Sequence, residues 1–294
     1  MTRLRVFYSA AYSAPDIPSL ARLAVAAREI GRSEAAVFHA PVPLDPALLQ
    51  GLHDERYLAA FLNGREPLAS SQGLPWSPQL RDATLAMLGG QLEAAQHALQ
   101  HGVAMNLARG FHHAVFERGS GFCPVNGLAM IAHLMPDKRI FVVDCDEHGG
   151  NGTEDFASRY TNLFNASIFG TRFGCIGHVR SWPFEVRVRR DGYTAYACAL
   201  RHVERLLETA RPDLVLYQAG TDCHVDDPKS QAQLSSRRML DRDLRVFRML
   251  ERIGLPVAIN VAGGYQSAEA IAALNRQTVA AACHVFLRPH ARAH

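Results

Sequence analysis

The chain has 294 residues, of which 48% are hydrophobic and 20% are charged. This balance supplies enough apolar side chains for a sizeable core and excludes a disordered protein. The 31 Lys and Arg residues barely exceed the 28 Asp and Glu residues and form no basic block, so nothing indicates nucleic-acid binding through phosphate neutralisation.

Cysteine usage and hydropathy give expectations about location. Six cysteines are scattered without a CxxC pair, which favours a reduced, cytoplasmic setting over a disulfide framework. The N-terminal stretch MTRLRVFYSAAYSAPD lacks the apolar core of a signal peptide. No apolar run approaches the roughly 18 residues of a membrane span. We therefore expect a cytoplasmic protein with no membrane span, and the sequence leaves its oligomeric state open.

The predicted elements alternate along the chain. Apolar, β-branched runs predict strands over 4–9, 103–107, 139–146, 166–170, 213–220 and 256–264. Apolar residues three and four apart predict helices over 18–31, 78–102, 194–210 and 235–254. This alternation indicates an α/β fold, with a mostly parallel sheet covered by helices on both faces. No repeat or linker divides the sequence, so we predict a single domain over residues 1–294.

Four loops rich in polar residues follow predicted strands. In chain order they are GFHHA (110–114), DCDEHGGNG (144–152), AGTDCHVDDP (219–228) and AGGYQ (262–266). Open α/β sheets place their ligand sites at the carboxyl ends of parallel strands. We therefore expect these loops to meet at one edge of the sheet and form a functional site.

Asp146, His148 and Asp222 are candidate metal ligands. Asp146 and His148 are two residues apart, so on an extended segment their side chains point the same way. Carboxylate oxygen and imidazole nitrogen suit zinc, and three protein ligands leave a position for water, as in catalytic zinc sites. The alternative is that Asp146 caps a turn and His148 is a surface residue. The convergence of four loops favours the metal site.

Three further side chains are candidates for catalysis. Beside a metal, His112 and His113 could act as the base that removes a proton from water, although adjacent loop histidines are commonly just exposed. Tyr265 follows two glycines and could donate a hydrogen bond to a developing oxyanion; its alternative role is core packing. Phe122, in GSGFCPVNG (119–127), could either pack against the sheet or line a narrow channel.

The motifs together resemble a known family. GFHHA, GSGFCPVNG, VDCDEHGGNGTEDF, YQAGTDCHVDDP and NVAGGYQ occur in the order and spacing of the zinc-dependent histone deacetylases, which share the arginase-like α/β fold. The resemblance covers roughly residues 50 to 270. The HGGNGTEDF and GGYQ stretches look most like class IV and its bacterial relatives, and the class IV resemblance implies a raised chance of long-chain acyl substrates.

The resemblance implies a role for each matching residue. Asp146, His148 and Asp222 would hold one zinc ion, His112 and His113 would form the tandem histidine pair, and Tyr265 would polarise the acyl carbonyl. Phe122 would form one wall of an acyl-lysine tunnel, which Gly264 would also line, and the Gly121 carbonyl would accept the substrate amide hydrogen.

The resemblance also implies supporting contacts. Asp144 would pair with His112 and Asn151 with His113, which makes His113 the neutral base and proton shuttle and His112 the more cationic ring. A structural potassium ion would bind backbone oxygens of Asp144, Asp146 and His148, with Ser167 as an additional position.

The sequence departs from other family members at informative positions. Gly149 replaces the second histidine that many members have, as it does in class IV. A two-manganese arginase site would need an aspartate where Gly150 stands, so a mononuclear zinc amidohydrolase is preferred. The segment LASSQGLPWSP (68–78) contains no carboxylate to clamp a peptide backbone. His39, His53, His178 and His224 are interpreted as ordinary loop or surface residues.

The leading hypothesis is therefore a lysine deacylase that acts on Nε-acyl-lysine in peptides or proteins. The alternative is a deacetylase of polyamines or other small acetylated amines, which acidic residues at the tunnel mouth would favour. A third hypothesis is a non-catalytic acyl-lysine binder, against which the retention of both histidines and Tyr265 argues.

Overall fold

The computed structural model describes residues 3–14 and 17–287, so the predicted domain of residues 1–294 extends beyond the described part at both ends. The strands of this part are β1 (Leu4–Phe7), β2 (Ala36–His39), β3 (Val103–Asn106), β4 (Ile140–Asp144), β5 (Leu163–Phe169), β6 (Ser181–Glu185), β7 (Leu214–Gln218) and β8 (Val257–Asn260). The α-helices are α1 (Pro18–Gly31), α2 (Glu55–Asn63), α3 (Pro78–His101), α4 (Gly127–Leu134), α5 (Asn151–Arg159), α6 (Val188–Ala210), α7 (Ser236–Ile253) and α8 (Ala268–Phe286).

The eight strands form one sheet in the order β2-β1-β3-β8-β7-β4-β5-β6. Every neighbouring pair is parallel. Strands β3, β4, β7 and β8 are buried along their whole length, as expected when helices cover both faces. The predicted α/β fold with a parallel sheet is confirmed.

The helices form two groups. Helices α1, α6, α7 and α8 pack against one another, and α8 also contacts β1. Helices α3, α4 and α5 form a second series, in which α3 contacts β3, α4 contacts β4 and α5 contacts β5. The apolar residues of the strands are buried between these groups, which leaves the carboxyl ends of the strands to the connecting loops.

Local signals explain the helix ends that the sequence predicts well. Ser77 and Ser235 cap α3 and α7 by accepting backbone N–H groups of Leu80 and Arg238. Gly254 ends α7 in the left-handed conformation. Helix α6 begins earlier than predicted, at Val188, and the non-helical backbone of Gly192 separates this first turn from the predicted segment.

Several elements do not follow from the apolar pattern. Strands β2 and β6 and helices α2, α4, α5 and α8 lie outside the predicted segments. Strand β6 forms one edge of the sheet, where its sequence SWPFE is only partly buried and pairs with β5 alone. In this pairing Pro183 lies opposite Ser167. Short edge strands have a weak apolar signal because only part of their surface is covered.

Candidate functional site

The four polar loops meet at one edge of the sheet, as expected. His112 and His113 follow β3, Tyr265 follows β8, Asp222 follows β7, and Asp146 and His148 follow β4. These four strands are consecutive neighbours in the middle of the sheet. The candidate site therefore lies at the centre of the carboxyl edge.

Asp146, His148 and Asp222 form a compact group. One ligand atom from each lies within 4.8 Å of the other two. Nδ1 of His148 is 3.4 Å from Oδ1 of Asp146 and 3.4 Å from Oδ2 of Asp222. Burial opposes protonation of His148, but the attraction of the Asp146 and Asp222 carboxylates outweighs burial and raises its pKa to about 10. The two carboxylates thus favour a positive charge at this point.

This group suits a metal ion by two further observations. Oδ2 of Asp222 is buried and has no hydrogen-bond partner among the described residues, so a ligand atom remains available. A Cβ at Gly263 would lie 2.0 Å from that oxygen and 2.6 Å from Oδ2 of Asp146, so only glycine leaves space between the carboxylates. Two carboxylates and one imidazole are a donor set that zinc accepts. The three residues fit the metal that the sequence predicts.

His112 is paired with a buried carboxylate. Its Nδ1 lies 2.7 Å from Oδ2 of Asp144, and both side chains are buried. Burial alone would lower the pKa of His112, but the charges of Asp144 and Asp146 outweigh it and raise the pKa to about 9. His112 is therefore cationic at neutral pH.

His113 is paired with a neutral amide. Its Nδ1 lies 2.7 Å from Oδ1 of Asn151, which is an acceptor, so Nδ1 carries the hydrogen and Nε2 keeps its lone pair. Burial and the charge of His112 hold the pKa of His113 well below its usual value. The adjacent rings, with centroids 3.9 Å apart, therefore differ in protonation.

The start of helix α5 fixes both histidines. The backbone N–H of Thr153 donates to the carbonyl of His112 at 3.0 Å. A Cβ at Gly152 would lie within 2.6 Å of the carbonyl oxygens of His112 and Ala114, so glycine permits this close approach. Asn151 is the first residue of the same helix. These contacts fix the position of the loop after β3 relative to the loop after β4.

The positions expected to hold potassium are adjacent in the structure. Asp144 ends β4 opposite Ser167 of β5, and both are buried. The Ser167 hydroxyl accepts the backbone N–H of Gly150 at 3.1 Å, and Oδ1 of Asp144 accepts that of Asp146 at 3.1 Å. These contacts shape the turn after β4, and the potassium ion itself stays a prediction.

Tyr265 is positioned by Asp227, which the sequence did not single out. The buried Asp227 carboxylate accepts the backbone N–H of Tyr265 at 2.6 Å and that of Lys229 at 2.9 Å. The ammonium of Lys229 lies 5.4 Å from the centroid of the Tyr265 ring. Burial, followed by the charge of Asp222, raises the pKa of Tyr265, so its hydroxyl remains a hydrogen-bond donor at neutral pH.

Two cavities meet at the site. The outer cavity, of about 520 Å³, is lined by Phe122 and Phe173, by the buried Gln72 and by the exposed Arg118 and Lys229. The inner cavity, of about 20 Å³, is lined by His112 and Asp146 and also by Arg109, Cys123 and Gln218, none of which lines the outer cavity. His113, Gly121, His148 and Tyr265 line both cavities.

The outer cavity has two aromatic walls, of which the sequence predicted one. Phe122 lines it, and its backbone N–H donates to the carbonyl of Gln72 at 2.8 Å. Phe173 forms the other aromatic wall. It lies in the loop after β5, and its ring centroid is 4.1 Å from that of His113. Only its position after a strand could have indicated Phe173, because the segment around it carries no polar motif.

Three residues are placed differently from the sequence interpretation. Gly264 lines neither cavity. A Cβ there would lie 2.2 Å from Oγ1 of Thr221, so glycine permits the loop that carries Tyr265 to pack closely against Thr221. His53 is 1% exposed, and its Nε2 accepts the backbone N–H of Asn126 at 3.1 Å. His224 is also buried, with Nε2 2.9 Å from the Ser236 hydroxyl. Both histidines are structural and not surface residues.

The backbone of the site is strained. Phe111, Phe122, Phe173 and Ala262 have positive φ angles, and each lines one of the two cavities. Side chains other than glycine rarely adopt this conformation, and it persists where the surrounding structure enforces it. Such strain clusters at functional sites.

Among the described residues, no helix combines the length and the apolar character needed to cross a membrane.

Comparison with protein families matches residues 17–282 to the histone deacetylase domain. An uncharacterized protein of Picosynechococcus sp. is 33% identical over 231 residues, which cover 75% of this chain and 76% of that protein.

Two further relatives carry functional names. Histone deacetylase 2 of Arabidopsis thaliana is 30% identical over 200 residues, which cover 62% of this chain and 49% of that protein. Acetylpolyamine aminohydrolase from Burkholderia pseudomallei has a similar solved structure, with a TM-score of 0.77 and 20% identity. That alignment covers 96% of this chain and 99% of the other, and at this identity it supports the fold alone.

Proposed function

We propose that this chain, which belongs to the histone deacetylase family, is a zinc-dependent amidohydrolase that removes an acyl group from Nε-acyl-lysine. The observation that carries the proposal is the pairing of two adjacent histidines with different partners beside a potential metal site. His112 faces the Asp144 carboxylate, whereas His113 faces the Asn151 amide. Hydrolysis of an amide needs both a base for water and stabilisation of a developing oxyanion, and these groups could supply both.

Asp146, His148 and Asp222 would hold the zinc ion, which would polarise the acyl carbonyl as a Lewis acid and acidify water beside it. Family resemblance supports a potassium ion near Asp144 and Ser167 in addition. The contacts of Asp146 with Gly263 and of Asp222 with Glu147, at 2.7 Å and 3.0 Å, keep the carboxylates oriented.

The residues around the proposed zinc site have different roles in proton transfer and charge stabilisation. His113 is neutral and has Nε2 free, so it accepts a proton from water and later returns it to the leaving amine. The Tyr265 hydroxyl donates a hydrogen bond to the carbonyl oxygen as negative charge develops there. His112 stays cationic against Asp144 and contributes a fixed positive charge.

The outer cavity favours acyl-lysine in a peptide over an acylated polyamine. Its charged side chains other than the histidines are Arg118 and Lys229, and no carboxylate is among its lining residues. A polyamine carries additional ammonium groups, which these cations would repel. The alternative is nevertheless a small acylated amine, since the similar solved structure is an acetylpolyamine aminohydrolase.

The deciding experiment compares kcat/KM of the zinc-loaded protein for an acetyl-lysine peptide and for acetylspermidine. We expect the peptide to be preferred by about 100-fold, and Lys229→Glu to reduce that preference by about tenfold. Tyr265→Phe, which keeps the ring but lacks the hydroxyl, serves as the low-activity control.

Each contrary outcome points to a different function. Preference for acetylspermidine in the wild-type protein would establish the small-amine alternative. Background rates on both substrates, with one zinc ion bound per chain, would refute the amidohydrolase and favour an acyl-lysine binder.

A further inference from the structure

Arg109 lines the inner cavity and not the outer one. Residues common to both cavities, including His113 and Tyr265, mark where the acyl carbonyl would lie. A lysine side chain that enters through the outer cavity would direct its acyl tail towards the inner cavity. There it would meet Arg109, Cys123 and Gln218.

The inner cavity is small. Its volume of about 20 Å³ compares with about 520 Å³ for the outer cavity. Roughly 10–15 Å³ of such space holds one water molecule, and Asp146 and His148, which would hold the metal, also line this cavity. It therefore accommodates at most a group about the size of one methyl. A longer alkyl chain requires lining side chains to move.

The inner cavity is polar as well as narrow. Arg109 is 7% exposed and Gln218 is 1% exposed. Oε1 of Gln218 has no hydrogen-bond partner among the described residues. An alkyl chain is stabilised by apolar walls, whereas a guanidinium and an amide lose solvation when an alkyl chain covers them.

The guanidinium of Arg109 acts on the groups that surround this cavity. Burial is the main cause that lowers the pKa of Arg22 to about 9, and the charge of Arg109 is the second. It also opposes the rise in the pKa of Tyr265 and of Cys123 that burial causes. Arg22 in turn donates to the carbonyl of Ala262, which lines the inner cavity, at 3.2 Å. One buried cation therefore lines the inner cavity and a second contacts its wall.

We propose that Arg109 determines acyl-chain length and restricts this protein to acetyl substrates. The inference rests on the proposed deacylase function and narrows its substrate class. It opposes the long-chain substrates that the class IV resemblance suggests. Arg109 acts by volume and polarity at the end of the acyl pocket.

The test compares kcat/KM for acetyl- and octanoyl-lysine forms of one peptide. The wild-type protein is expected to prefer acetyl by about 100-fold or more. Arg109→Ala, which removes both bulk and charge, should raise the octanoyl-to-acetyl ratio by about tenfold or more. Arg109→Met removes the charge and keeps most of the length, so a ratio within about threefold of wild type would identify volume as the main cause.

The proposal is overturned if the wild-type protein hydrolyses octanoyl-lysine as fast as acetyl-lysine. It is also overturned if Arg109→Ala melts like the wild-type protein and leaves the ratio unchanged. Calorimetric titration of the zinc-loaded wild type with acetate and octanoate gives a readout without turnover. Weaker binding of octanoate than of acetate supports the proposal, even if no peptide is hydrolysed. A lack of hydrolysis would refute only the deacylase function. Tighter binding of octanoate than of acetate rejects the proposal.

Discussion

The difference between His112 and His113 comes from one atom in each partner. A carboxylate oxygen of Asp144 stabilises an imidazolium, whereas the neutral amide of Asn151 orients a ring without adding charge. Both distances are 2.7 Å, so geometry does not distinguish the rings. The partner's charge assigns the base in the proposed mechanism to His113.

Asn151→Asp tests this assignment with almost no change in shape. A carboxylate beside His113 raises its pKa, and a base acts only above its pKa. We expect the acidic limb of the pH profile of kcat/KM to move upward by about one unit or more. Asn63→Asp, an exposed position at the end of α2, introduces the same charge far from the strand ends and should leave the profile unchanged. An unmoved profile in Asn151→Asp would show that His113 is not the base.

His53 makes stability depend on pH. Burial is the largest effect and lowers its pKa to about 4 from a usual value of 6.5. The unfolded chain therefore binds a proton at a higher pH than the folded chain, and stability present above pH 6.5 is lost as pH falls towards 4. At pH 4.5 this one residue removes about 2.5 kcal/mol of the free energy of unfolding.

Urea denaturation at pH 7.5 and pH 4.5 checks this expectation. His53→Gln keeps a side chain that can accept from the N–H of Asn126 but cannot bind a proton in this range. The stability lost between the two pH values should be smaller in the variant by about 2 kcal/mol. Equal losses in both proteins would exclude His53 as a source of acid sensitivity.

At the scale of elements, the loops after β7 and β8 are connected by Asp227. Its carboxylate accepts N–H groups from Tyr265 and Lys229, which places the hydroxyl donor and one of the two cations of the outer cavity relative to each other. Glu147 does the same between the loop after β4 and residues 231–232, whose N–H groups it accepts at 2.9 Å and 3.1 Å. Buried carboxylates thus replace regular hydrogen bonding where the strands end.

Asp227→Asn should reduce kcat through Tyr265. The amide offers only one accepting oxygen for the N–H groups of Tyr265 and Lys229, so one of the two contacts that connect the loops is lost. We expect a loss of about tenfold in kcat. In the Tyr265→Phe background the same change should cost little, because there is no hydroxyl left to position. Steady-state kinetics of the two single variants and the double variant measure this coupling, and additive losses would show that Asp227 acts elsewhere.

The sequence indicates these elements unevenly. Polar residues after apolar runs identify all four central loops, because a buried strand that ends in Asp or His is unusual. The order of strands cannot be read in this way, since pairing depends on how helices cover the sheet. Phe173 and Asp227 escape notice because an aromatic residue or an aspartate in a loop has many ordinary roles. Arg109 lies directly before the GFHHA motif, and only its place in the lining of the inner cavity supports the role that we propose for it.

At the scale of the whole molecule, four adjacent central strands contribute to one site. The buried carboxylates of Asp146 and Asp222 repel each other. Burial is the main cause that raises the pKa of Asp222 to about 6, and the charge of Asp146 is the second. A bound cation relieves this repulsion, and it binds only when all the strands are in place. Metal binding is therefore expected to stabilise the entire fold.

Removal of the metal should lower the melting temperature. At free zinc about a thousandfold above its Kd, binding contributes about 4 kcal/mol, which corresponds to a shift of about 5–10 °C for a chain of this size. Calorimetry before and after treatment with a chelator measures the shift, and added zinc should reverse it. Asp222→Asn serves as the control and should show a much smaller shift. A melting temperature that does not respond to chelation in the wild type would argue against the metal site.

The edge strand β6 has a consequence for how copies of this protein behave in solution. Hydrogen bonds from β5 reach Arg180, and Val186 donates back to β5, so alternation along the strand turns Pro183 to the outer side. Proline has no N–H, and the outer side of β6 therefore lacks a donor where another strand would pair. The sheet ends at a position that resists edge-to-edge aggregation, which eight parallel strands would otherwise invite.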